Sequence, residues 1–230
     1  MNYGYMPNAD EPTLKLDKEP LQVYPLRMYH YLALKTQIEG KTVLEVGSGR
    51  GGGARHIAAT MKPLQYTGLD LAHHAVDLAN KIHQLPNLKF IQGSAESLPL
   101  ADNSVDVVIN VESCHAYGDV AKFLSEVKRV LKPGGYFLMV DFRYAKDFEL
   151  LQQQLRDCGL KKLSEENISD NVVRAIEAED PAKRERIQKL IPARWQKLFC
   201  EFAGVVGSKF HSNLKDHTRY YYRYSFMKPN

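Results

Sequence analysis

The sequence predicts an α/β fold: a mostly parallel sheet with helices on both faces. Three observations carry that prediction. Between residues 42 and 141 short β-branched blocks alternate with helix-length amphipathic blocks, a pattern that implies right-handed crossovers between parallel strands. One strand block, SVDVVIN at 104–110, is largely apolar, as a strand covered on both faces should be. The glycine-rich run GSGRGGG at 47–53 sits between the first strand block and the first helix of the alternation.

Residues 1–20 are rich in proline and charge and read as an extended arm. Residues 21–38 place Leu21, Tyr24, Leu26, Tyr29, Leu32, Ala33 and Ile38 at helical spacing, with Gly40 as the expected stop. Strands are expected at 42–46, 65–70, 88–92, 104–110 and 136–141, and helices at 54–61, 72–85 and 120–131. Lys132-Pro133-Gly134-Gly135 reads as a turn. Beyond Asp141 the alternation weakens. A helix is expected at 148–158, a strand at 160–168 and an aromatic strand at 218–227. Residues 169–217 read as a mainly helical insertion, with Pro181 and Pro192 as expected breaks. The whole is one domain over 1–230: an arm (1–20), a leading helix (21–40), a core (41–142) and the insertion (169–217).

Composition narrows the function classes. The chain has 230 residues, 44% hydrophobic and 25% charged, which excludes disordered and fibrous chains. Cys114, Cys158 and Cys200 are odd in number and have no CxxC spacing, which argues against a disulfide scaffold or a zinc module; no metal is expected. No apolar run approaches the roughly 18 residues of a membrane span, and residues 1–12 lack the apolar core of a signal peptide. The expected setting is the cytoplasm. Residues 1–141 carry 14 Lys and Arg against 15 Asp and Glu, whereas 142–230 carry 17 against 12. These basic residues alternate with acids and form no run, so no nucleic-acid partner is expected.

Gly47-x-Gly49-x-x-Gly52 formally matches a dinucleotide fingerprint. Glu45, two residues earlier, argues otherwise. A carboxylate at a strand end suits a cofactor that carries an ammonium group, directly or through water; a pyrophosphate gains nothing from it. Asp70, ending the second strand, can accept both hydroxyls of a ribose or cap the helix that follows. Together they favour a nucleoside with an aminoacyl end, S-adenosylmethionine.

The segments TVLEVGSGRGGGARHIA, YTGLDLA, FIQGSAESLPLADNSVDVVINVES and EVKRVLKPGGYFLMVDF come in the order and spacing of the class I S-adenosylmethionine-dependent methyltransferases. The resemblance covers about residues 42–142. NYGY at the start and NVESCHAY at 110–117 resemble, more narrowly, the small-molecule methyltransferases of phthiotriol-type lipids and rebeccamycin-type sugars. The resemblance implies a Rossmann-like, seven-stranded sheet whose last strand, TRYYYRYSFM, lies antiparallel beside the fifth. It implies that Gly47, Ser48 and Gly49 line the methionine side, Asp70 the ribose, and Ser94, Ala95, Glu96 and Leu71 the adenine, with Asn110 reaching the cofactor from the fourth strand.

Methyl transfer to a hydroxyl needs a base. His115, just past the fourth strand, is the candidate, with Asp141 at the end of the fifth to orient its ring. The sugar methyltransferases have a histidine and an aspartate at these motif positions, proposed as their catalytic pair; their second histidine is Ala116 here. Glu112 is a candidate substrate ligand or second base. Cys114 reads as a packing residue, and His73-His74 as surface. Tyr3, Tyr5, Tyr117 and Trp195 are candidate substrate contacts, with the arm and the insertion expected to cover the site. The expected partner is a small-molecule acceptor: a lipid, polyketide, sugar or other natural product. Alternatives are a C- or N-methyltransferase with no essential base, or a cofactor-binding protein without activity. Asn110-Val111-Glu112-Ser113 lacks the D/N-P-P-Y/F loop of nucleic-acid amino methyltransferases.

Overall fold

The computed structural model describes residues 2–12, 14 and 22–230. Its strands are β1 (Thr42–Val46), β2 (Gln65–Asp70), β3 (Leu88–Gln92), β4 (Val105–Val111), β5 (Leu131–Tyr144), β6 (Lys161–Asn167) and β7 (Arg219–Met227). They form one seven-stranded sheet in the order β3-β2-β1-β4-β5-β7-β6. β1 through β5 are parallel, and β7 runs antiparallel between β5 and β6. The antiparallel strand beside the fifth is the one that the aromatic stretch implied. The strand order reverses between β1 and β4, so their carboxyl ends open a crevice there.

Helices α1 (Val23–Ala33), α2 (Gly52–Thr60), α3 (His73–Ile82), α6 (Ser169–Leu190) and α8 (Lys209–Lys215) cover one face, packing through residues such as Met28, Ile57, Val76, Ile176 and Leu214. Helices α4 (Val120–Val130) and α5 (Ala145–Asp157) cover the other, through Phe123, Val127, Leu151 and Leu155. Helix α7 (Ala193–Ala203) buries none of its residues. Among the described residues no helix is long and apolar enough to cross a membrane.

Several expectations are corrected. The leading helix ends at Ala33 rather than at Gly40; Gly40, at φ +71°, turns the chain into β1 instead. Its expected start at Leu21, like arm residues 1, 13 and 15–20, lies outside the described residues. Pro181 does not break the helix but sits inside α6. A mid-helix proline costs about 3 kcal/mol. Glu179–Lys183 and Asp180–Arg184 ion pairs bracket it at one-turn spacing and hold the two sides in register. Pro192 does separate α6 from α7. Residues 132–135 lie within β5 as a bulge: Leu131 pairs with Val105 and Tyr136 with Val107, and Gly134 takes φ +73°.

The arm is partly core. Tyr5 is buried against Tyr31, under the guanidinium of Arg223, and donates its hydroxyl to Glu11. The ring of Tyr5, a candidate substrate contact, thus lies in the packing between the arm and the body of the fold.

Candidate active site

The site begins at the glycine turn. Gly47 has φ +79°, and a Cβ there would lie 2.3 Å from Ser113 Oγ. Glycine is required at this position on both counts. The Gly47 and Ser48 N–H groups donate to Leu69 O at 2.8 and 3.0 Å, which ties the turn to the end of β2. Asp70, the last residue of β2, accepts from Gly49 N–H at 2.7 Å and from Ala72 N–H at 2.9 Å. It thereby joins the turn to the start of α3. Beside it Leu71 is 72% exposed.

Among the described residues, Ser48 Oγ and Asn110 Oδ1 are buried polar atoms without a hydrogen-bond partner. Asn110 is anchored through its amide nitrogen to Val46 O (3.0 Å), Ser113 Oγ (2.8 Å) and Tyr117 Oη (3.0 Å). Buried polar groups are rarely left without partners, so both atoms fit a polar ligand lying across the turn. Ala95 is buried and Ser94 half-buried. Ser94 Oγ accepts from Glu96 N–H, and Glu96 Oε1 accepts from Asp119 N–H at 3.0 Å.

Glu45 is fully buried behind the turn and accepts from Tyr29 Oη (2.6 Å) and Tyr66 Oη (2.9 Å). Burial pushes its carboxyl up from 4.5 to about 7, against the pull of the two tyrosine hydroxyls. Between those values the folded state binds more protons than the unfolded one. Its contribution to stability is therefore complete below pH 4.5 and falls as pH rises through 7. The loss is on the order of 3 kcal/mol at most. Glu45→Gln is thus expected to be more stable relative to the wild type at pH 8 than at pH 5. Denaturant unfolding of both proteins at the two pH values checks this, and an unchanged difference contradicts it.

On the other side of the crevice β4 ends in a short 3-10 turn, Cys114–Ala116. It presents His115 opposite Asp141 near the end of β5. His115 Nδ1 lies 2.7 Å from Asp141 Oδ1, and His115 N–H donates to Oδ2 at 2.7 Å. Phe142 N–H (2.8 Å) and Arg143 Nη1 (2.9 Å) complete four donors on this buried carboxylate. With every acceptor position used, Asp141 fixes the ring in the tautomer with Nδ1 protonated. Nε2 is left as an acceptor on a side chain that is 31% exposed. Phe142 packs on the ring at 4.2 Å between centroids. Cys114 is buried, its thiol pushed up to about 12 by desolvation, which suits a packing residue.

Glu112 takes φ +47° at the end of β4, an uncommon conformation for a side chain of this size. It accepts from Tyr3 N–H at 2.8 Å and from the Tyr221 hydroxyl, so it fastens the arm to β7 beside the crevice. Burial raises its carboxyl to about 8. Tyr3 stacks on Phe210 at 3.7 Å, an apolar wall next to the His115–Phe142 pair. Two further candidate substrate contacts have the following places in the structure. Tyr117 turns inward to Asn110 and Ser113, its hydroxyl 3.0 Å from where a Gly47 Cβ would be. Trp195 is exposed on α7, at the end away from Tyr3, which meets the chain at Gly204. The structure also brings in Tyr29, Ser113, Arg143 and Tyr221. Only Ser113, inside the NVESCHAY run, had a sequence signal.

A methyltransferase-domain family profile matches residues 44–139. A fatty-acid O-methyltransferase of Mycolicibacterium smegmatis is 37% identical over 100% of this chain and 83% of its own. A phthiotriol/phenolphthiotriol dimycocerosates methyltransferase of Mycobacterium tuberculosis is 38% identical over 99% of this chain and 84% of its own. The fold is shared with geranyl diphosphate C-methyltransferase from Streptomyces coelicolor, solved with S-adenosyl-L-homocysteine: TM-score 0.71, 16% identity, 99% of this chain and 91% of that one. The chain belongs to the methyltransferase family. It is an enzyme of the S-adenosylmethionine-dependent kind.

Proposed function

We propose that the enzyme methylates an oxygen of a lipid-like small molecule, with His115 as the general base and Asp141 as the residue that orients it. Bound S-adenosylmethionine supplies an activated methyl group. The residues proposed to hold it are Gly47, Ser48, Gly49 and Asn110 along its aminoacyl half, with Glu45 behind them. Asp70 takes the ribose, and Leu71, Ser94, Ala95 and Glu96 border the adenine. The orphaned Ser48 Oγ and Asn110 Oδ1 support this assignment.

The acceptor hydroxyl then lies against His115 Nε2, which takes its proton, while Asp141 steadies the ring as it becomes a cation. The carboxylate keeps its other donors throughout, so the imidazole does not have to reorient during the step. Tyr3, Phe142 and Phe210 offer the acceptor an apolar wall, and Glu112 holds that wall in place. The observation that carries the reading is the 2.7 Å contact between His115 Nδ1 and Asp141 Oδ1. The lipid character of the acceptor is supported by the relatives at 37–38% identity, a fatty-acid O-methyltransferase and a phthiotriol/phenolphthiotriol dimycocerosates methyltransferase.

The test is incubation with methyl-labelled donor and a panel of long-chain diols, fatty acids and amines, with products identified by mass spectrometry. A methyl ether from a diol is expected. Transfer to carbon or nitrogen only, or to no acceptor, overturns the proposal.

A further inference from the structure

Helix α7 is built inside out. Trp195, Leu198, Phe199 and Phe202 recur at i, i+3, i+4 and i+7, which gathers them into a stripe about 100° wide. Such a stripe ordinarily faces the core. Here Trp195 is 47% exposed and Phe202 70%. The half-buried side of the helix carries Gln196, Cys200 and Ala203 instead, with Gln196 Nε2 donating to Ile191 O at 3.0 Å. Leu190 at the end of α6 and Val206 beyond α7 extend the exposed apolar surface. A contiguous patch of this kind marks an interaction site.

The charge around it indicates what covers it. Over residues 169–217 nine Lys and Arg stand against seven Asp and Glu, and Lys183, Arg184, Arg186, Lys189 and Lys215 are held in ion pairs with Glu177, Glu179, Asp180 and Glu185. Arg194 and Lys197 are exposed on α7 itself, next to the stripe. An apolar face of Trp, Phe and Leu flanked by basic residues is the arrangement that settles at the interface of an anionic bilayer. A second copy of the chain would instead bring the same two cations, Arg194 and Lys197, to both sides of the contact.

We propose that α7 is a membrane-docking helix, seated on the surface of an anionic lipid bilayer with its aromatic stripe at the headgroup boundary. Its far end reaches the site. At Gly204, just after the helix, a Cβ would lie 2.4 Å from the Tyr3 ring, and the Tyr3 N–H is bonded to Glu112. Docking therefore sets the crevice mouth beside the lipid surface. The inference does not depend on which acceptor is methylated, because vesicle binding is read without turnover.

Trp195 is the only tryptophan in the chain, so its fluorescence reports on this helix alone. The full-length protein is mixed with phosphatidylcholine vesicles with and without phosphatidylglycerol. Expected are co-sedimentation with the anionic vesicles, a blue shift of the emission, and quenching by brominated acyl chains. Phe199→Asp with Phe202→Asp, both at exposed positions, should weaken partitioning at least about tenfold. The thermal shift given by S-adenosylhomocysteine should stay intact in that variant. Arg194→Glu with Lys197→Glu should abolish the preference for anionic lipid. Emission that ignores vesicles, or that is already blue-shifted in a lipid-free dimer seen by light scattering, overturns the proposal.

Discussion

Replacing His115 by alanine is expected to lower methyl transfer to a hydroxyl at least about a hundredfold, with S-adenosylhomocysteine affinity changed by no more than about twofold. The imidazole touches no residue of the glycine turn through any hydrogen bond; its partner is Asp141. Its loss therefore removes the proton acceptor and spares the cofactor side. Asp141→Asn should reduce turnover in the same direction but also destabilise the fold. Four donors converge on that carboxylate, including the Arg143 guanidinium, and an amide group cannot accept from all of them. Steady-state rates, calorimetric titration with S-adenosylhomocysteine and thermal melts separate the two effects. A fatty-acid carboxylate has no proton to lose at neutral pH. If the wild type methylates a fatty acid and no diol, and His115→Ala does so at a near-normal rate, His115 leaves the mechanism and the acid is the acceptor.

Gly47→Ala is expected to weaken S-adenosylhomocysteine binding at least about tenfold and to lower the melting temperature. Two separate penalties act there. The left-handed backbone at φ +79° costs a residue with a Cβ about 1–2 kcal/mol. The new methyl also meets Ser113 Oγ at 2.3 Å and Ser113 Cβ at 2.5 Å, so the turn or the β4 end has to move. Adding Ser113→Gly should relieve the steric part and recover some affinity while the backbone penalty stays. Gly49→Ala is the comparison: its φ is +53° but a Cβ there meets nothing within 4 Å, so the backbone penalty acts alone and the loss should be smaller. Native affinity in Gly47→Ala, measured by calorimetry, would mean that the turn does not cradle the cofactor.

The two halves of the crevice differed in how far they could be read in advance. The turn at 47–53, the strand-end Asp70 and the pairing of His115 with Asp141 were legible because each is a local pattern at a strand end, and parallel strands deliver their carboxyl ends to one edge. Tyr29 was legible only as a helix position. Nothing in its neighbourhood says that it crosses to Glu45, sixteen residues on, since that contact depends on how α1 packs over β1. Tyr117 and Trp195 occupy places that their local sequence does not show, for opposite reasons. An aromatic next to a candidate base looks like a substrate contact, but Tyr117 turns under the glycine loop. An aromatic in a lid-like segment looks like a cavity wall, but the helix that carries Trp195 faces outward.

Sequence alone was enough for the sheet and helix alternation, the methyltransferase family and the proposed base with its partner. Period, strand-end position and glycine geometry are properties of short stretches of chain. Tertiary structure decided that Tyr5 is core, that α6 runs through Pro181, that Asp141 carries four donors, and that α7 shows its apolar face to the outside. Each of these depends on which distant surface a residue meets, and burial and orientation are set by packing between segments that a local pattern cannot see.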